Sequence, residues 1–147
     1  SYPWPSNSGR RPLLGLRCLE GGAEGQSVEV LADGRQGFTT DYHTGWYITS
    51  APQLCLQGQG FQRASVQLSL SFLHAPVWHI YLPSEVSVWQ GDTCCGRVTV
   101  PAATDGRARV TLPAAGLVPL MPIEIRIKQN NQAKGRVTLA CDEIEVM

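Results

Sequence analysis

Between Val66 and Phe72 the chain alternates without a break. Val66, Leu68, Leu70 and Phe72 are apolar, while Ser65, Gln67, Ser69 and Ser71 are polar. A period of two gathers each set on one face of an extended backbone, whereas a helix would scatter both around its circumference. The spacing therefore predicts a half-buried strand. After the His74-Ala75-Pro76 break, Val77 to Leu82 predicts a second strand, rich in branched and aromatic residues and closed by Pro83, which cannot donate to a ladder. Glu85 to Gln90 predicts a third, with Val86 and Val88 on one side and Ser87 and Trp89 on the other. Ile123 to Lys128 alternates most cleanly: Ile123, Ile125 and Ile127 point in, Glu124, Arg126 and Lys128 out. The closing run, Arg136 to Val146, starts with Val137, Leu139 and Cys141 on one face and finishes with Ile144 and Val146 on the other. Such a change of phase predicts a bulge, or a change of covering layer, near Asp142 and Glu143.

The same reading places strands at Ser27–Leu31 with Val28 and Val30 inward, at Gln53–Gln57, Arg97–Val100 and Arg107–Leu112, and a short edge strand within Leu13–Leu19. Asp92–Gly96 and Ala102–Gly106 read as turns. The total is eight or nine short strands with no segment of helical period. Turn signals recur every 8–12 residues or so, the spacing of an all-β antiparallel sandwich. One-sided strands need a second apolar layer to cover them, which again predicts a sandwich. Residues 1–26, with their prolines, Tyr2, Trp4 and a Gly-Gly-Ala-Glu-Gly tract, read as a loosely ordered lead-in, and residues 27–147 as the sandwich.

A chain of 147 residues with 43% hydrophobic residues matches one domain. Twelve basic residues balance twelve acidic ones with no like-charge block, which argues against electrostatic capture of nucleic acid or of an anionic membrane. No apolar run reaches the roughly 20 residues that span a bilayer. The chain begins at Ser1 without the order of a signal peptide, and is read as a processed product or a fragment of a longer protein. Its five cysteines, Cys18, Cys55, Cys94, Cys95 and Cys141, include no C-x-x-C pair, which argues against zinc. Buried free thiols are the first reading, with a single bridge, such as one to Cys18, left open. Nucleophile-elbow, phosphate-loop and H-E-x-x-H signatures are absent from the sequence. Glycoside hydrolysis needs two carboxylates about 5–10 Å apart in a cleft. Asp142 and Glu143 are strand neighbours, expected to face opposite ways.

In order along the chain stand Leu31-Ala32-Asp33-Gly34-x-x-Gly37, Asp41-Tyr42-His43 with Trp46, Leu70-Ser71-Phe72-Leu73 leading to Ile80-Tyr81-Leu82-Pro83-x-x-Val86, and Asp142-Glu143-Ile144. From Ser27 to Met147 this order resembles the discoidin-like, galactose-binding-like module at the C-terminal end of secreted bacterial β-N-acetylhexosaminidases of glycoside hydrolase family 20, the chitobiases. The chain departs from that pattern in carrying Trp46-Tyr47-Ile48-Thr49 where members usually have a Trp-Gln-Gly-Phe-like tetrad.

The resemblance implies a jelly-roll sandwich whose first and last strands meet. It implies a non-catalytic accessory module of an extracellular or periplasmic hydrolase, which binds an N-acetylhexosamine- or galactose-type carbohydrate weakly or docks the adjacent catalytic domain. It also implies a structural calcium ion held by Asp33, Thr39 and Glu143, a hard-oxygen set. The plainer alternative is that Asp33 caps its own turn and Glu143 pairs with an arginine such as Arg35. Sugar recognition needs an aromatic face flanked by groups that reach hydroxyls. Tyr42, His43 and Trp46, or Trp78 and His79, or Asn130, supply such groups. Against these, Trp46 is read first as a core plug, His74 and His79 as ordinary polar residues, and Trp89 as an outward residue able to pack on a neighbouring domain. The competing function is a structural or protein-interaction sandwich without sugar affinity.

Overall fold

The computed structural model describes residues 11–22, 26–32, 37, 39, 45–130 and 138–147. Among the described residues there are ten strands: β1 (Arg11–Pro12), β2 (Arg17–Glu20), β3 (Tyr47–Thr49), β4 (Gln53–Gly58), β5 (Val66–Leu73), β6 (Glu85–Gln90), β7 (Thr93–Thr99), β8 (Arg107–Ala114), β9 (Ile123–Lys128) and β10 (Leu139–Val146). One sheet runs β1-β10-β5-β8, with β3 also paired to β10; the other runs β2-β4-β9-β6-β7. Every strand pairing is antiparallel, so the chain is an all-β antiparallel sandwich.

The core forms where the period-two faces meet. Leu68, Leu70 and Phe72 of β5, Val110 and Leu112 of β8, and Ile144 of β10 pack against Leu54 and Leu56 of β4, Val86 and Val88 of β6 and the three β9 isoleucines. All these residues are buried, and burial of such side chains is the dominant favourable term of the fold. The edges of the two sheets also meet on one side. A Cβ built on Gly96 of β7 would lie 2.2 Å from the carbonyl oxygen of Pro113 in β8, so only glycine permits that approach. Ala115 donates its backbone N–H to the Cys95 carbonyl there, at 3.0 Å.

The closing strand carries the predicted bulge. Cys141 pairs with Phe72 and Ile144 with Leu70, so Asp142 and Glu143 together oppose the single residue Ser71. A second bulge sits in β7, where Val88 pairs with Gly96 but Trp89 pairs with Cys94. This corrects the expected turn at Asp92–Gly96: the chain turns at Gly91-Asp92 and the strand begins at Thr93. Two other expectations are also corrected. Val28–Ala32 is a 3-10 helix with Leu31 buried, because its backbone coils locally and makes no ladder pairing. Pro76–Trp78 is likewise a 3-10 turn, Pro76 having no N–H to give a ladder. Only Ile80 of the expected Val77–Leu82 strand pairs, bridging Ala75 and Thr138.

All five cysteines are free. Burial raises the pKa of the Cys141 thiol well above its usual value, and burial, with Glu20 nearby, raises that of Cys55, so both stay protonated and neutral at neutral pH.

Candidate functional site

The crossovers sort the connections to two ends. Segments 74–84, 100–106 and 129–130 lie at one end, with Gly37, Thr39 and Trp46; segments 59–65 and 115–122 lie at the other. The first end is called the rim below.

A buried polar cluster supports the rim. The Arg107 guanidinium, at the head of β8, forms an ion pair with Asp142 of β10 and donates also to Ser71 Oγ, at 2.7 Å, and to the Gly37 carbonyl. Asp142 is 0% exposed. One of its oxygens accepts from the Ser71 hydroxyl and from the Glu143 backbone N–H at 2.6 Å; the other accepts from Arg107 and from the Gly37 backbone N–H at 3.0 Å. The bulge supplies this geometry, because an extra residue re-aims the strand. The Trp46 ring lies 4.8 Å from the Arg107 guanidinium in a cation–π contact, and a Cβ on Gly37 would lie within 2.3 Å of that ring.

Two clefts open at the rim, the larger with Arg107 of the cluster in its lining. One of about 590 Å³ is lined by Thr39, Thr104, Asp105, Arg107, Arg109 and the pair Pro101-Ala102. The other, about 400 Å³, is lined on its polar side by Ser84, Thr99, Lys128 and Asn130, and it shares Pro101 and Ala102. Asp105 adopts a left-handed backbone, φ 54°, ahead of Gly106, which turns the chain into β8 beside Thr39. The His74 N–H donates to the Gly106 carbonyl at 2.9 Å and so fixes this turn to the 74–84 segment.

The structure thus gathers Thr39, Trp78, His79 and Asn130 at the rim, and places Thr39 and Asn130 in the cleft walls. Trp46 is 5% exposed and packed on Arg107. Trp78 is 36% exposed on its 3-10 turn. His79 has a left-handed backbone, φ 59°, and its carbonyl accepts from both the N–H and the hydroxyl of Thr138, at 2.9 and 2.7 Å. Glu143 is 3% exposed in the closing strand. Asp33, Tyr42 and His43 lie outside the described residues.

Among the described residues no three His, Cys, Asp or Glu side chains gather as a metal site. Where Gly37 meets the closing strand, the positive charge facing Asp142 is the Arg107 guanidinium. Sequence reasoning missed Arg107, Arg109, Thr104, Asp105 and Lys128. The available signal was Asp142, a charge inside an apolar run, which needs a buried cationic partner.

On the outer face of the second sheet, Trp89 lies between Arg126, 4.2 Å from its ring, and Arg97, 5.8 Å away. Each arginine also pairs with a glutamate, Arg126 with Glu124 and Arg97 with Glu85.

The fold and rim define a β-sandwich with loop-built clefts at one end. No protein-family model matches the chain, and no curated protein matches its sequence.

Proposed function

We propose that this chain is a non-catalytic accessory module that binds carbohydrate weakly through the rim clefts and is carried by an extracellular or periplasmic glycoside hydrolase of the hexosaminidase type. The observation that carries the binding reading is the lining of the larger cleft: hydroxyl and carboxylate groups of turn residues and guanidinium groups at the head of β8, around the small apolar surface of Pro101-Ala102. Few oriented polar groups around an apolar floor suit a pyranose ring. Trp78 adds an exposed aromatic at the same end. The non-catalytic reading is supported by the burial of Asp142 and Glu143, which keeps both carboxylates out of the clefts.

Titration of the isotope-labelled chain with N-acetylglucosamine and galactose oligomers tests the reading. Millimolar sugar, a binding free energy of about −4 kcal/mol, is expected to shift the amides of Thr104, Asp105 and Arg109 and to leave those of Val118 and Met121 unmoved. Unmoved rim amides at that concentration remove the carbohydrate reading.

A calcium ion is proposed with Asp33, Thr39 and Glu143 as donors. Arg107 already neutralises Asp142, so the ion would rest on those three and on loop carbonyls. Chelator is expected to lower the melting midpoint; an unchanged midpoint removes the ion from the proposal.

A structural or protein-docking role is favoured by a different observation. At the end opposite the rim, Val118, Leu120 and Met121 are exposed on a loop that Gln90 holds, its side-chain amide bonding Val118 at both N–H and carbonyl and the Met121 carbonyl. A fixed apolar loop of this kind suits a neighbouring domain.

A further inference from the structure

Resting on the carbohydrate reading, we infer that the two rim clefts are consecutive subsites of one groove, which binds along an oligosaccharide chain and does not merely cap a terminal sugar. The larger cleft, with Thr104, Asp105 and Arg109, and the smaller one, with Ser84, Lys128 and Asn130, share Pro101 and Ala102 in their linings. The two residues common to both linings are small, apolar and exposed, so they place no bulky side chain in the way of a linear ligand that runs from one cleft to the other. Each volume lies within the range of ordinary small-ligand sites, so each holds at least one ring.

The backbone around the smaller cleft argues for recognition by side chains. Val100 donates its N–H to the Ser84 carbonyl at 3.2 Å, Ser84 to Lys128 at 2.9 Å, and Gln129 to Pro52 at 2.9 Å. With these donors already bonded, an extended peptide cannot dock through them by strand addition. What faces the ligand is hydroxyl, amide and ammonium groups beside Leu82, Val100 and Pro101. That mixture matches the hydroxyls and apolar ring faces of successive pyranoses.

Two linked subsites bind a chain more tightly than either binds one ring, because the second contact is made at high effective concentration. Calorimetry on the full chain, comparing monosaccharide with tetrasaccharide of the same N-acetylglucosamine or galactose series, is expected to give about tenfold or more tighter binding of the tetrasaccharide. Arg109→Gln in one cleft and Lys128→Gln in the other are each expected to weaken tetrasaccharide binding several-fold, with the melting midpoint held as the check on folding. Equal affinity for both lengths overturns the groove and leaves a carbohydrate-binding rim. An effect of only one substitution on the tetrasaccharide also overturns it, since one subsite then does all the binding. If no length binds, the groove and the carbohydrate reading fall together.

Discussion

Asp142→Ala is expected to destabilise the fold by about 3–5 kcal/mol, the usual cost of removing one partner from a buried ion pair. Asp142 is fully buried, and the Arg107 side chain is only 11% exposed. Loss of the carboxylate therefore leaves a guanidinium desolvated and uncompensated, and also takes an acceptor from Ser71, from Gly37 and from the Glu143 backbone. Urea unfolding should show a lower midpoint with an unchanged slope, the signature of lost stability without a change in exposed surface. The pairing makes a further demand: Arg107→Met combined with Asp142→Leu should cost less than Asp142→Ala alone, since the double change leaves no orphaned charge. A loss below about 1 kcal/mol for Asp142→Ala would mean that the pair behaves as a solvated surface bridge. The same substitution should raise the solvent exposure of Trp46, which rests on Arg107, and quenching of its fluorescence reads that in a background where Trp4, Trp78 and Trp89 are replaced by Phe.

Phe72→Ala is expected to cost about 3–5 kcal/mol, through lost transfer free energy and the cavity left behind. Phe72 is fully buried in β5, between Cys141 of β10 and Ala108 of β8, and it faces the second sheet. Its near neighbour on the opposite face provides the control. Ser69→Ala should change stability by no more than about 0.5 kcal/mol, because Ser69 is only partly buried and takes no part in the polar cluster. Similar losses at the two positions would contradict the face assignment of the whole strand.

Much of the architecture is legible before any coordinates. The alternation in Val66–Phe72 and Ile123–Lys128 correctly assigns the buried faces, and the phase change in the last run correctly locates the bulge at Asp142-Glu143. Ser71 shows where the same logic stops. Its place in the alternation assigns it to the solvent face, yet it is buried, because Gly37 and Arg107 lie over it with Asp142. The Val77–Leu82 run shows another limit: its composition favours a strand, but no partner edge lies beside it except at Ile80, so the chain coils into a 3-10 turn. The clefts were missed for a related reason, since Thr104, Arg109 and Lys128 are ordinary polar residues until the crossovers bring Thr104 and Arg109 into one cleft wall and Lys128 into the other.

The sequence alone determined that this chain forms two apolar-faced antiparallel layers, because side-chain direction in an extended backbone is a local property with a fixed period. Only the tertiary structure decided which polar groups meet. Asp142 finds Arg107 across 35 residues, Ser71 across 71 and Gly37 across 105. Those pairings are set by register and crossover, which depend on how both sheets close over a common core and not on the residues near Asp142 itself.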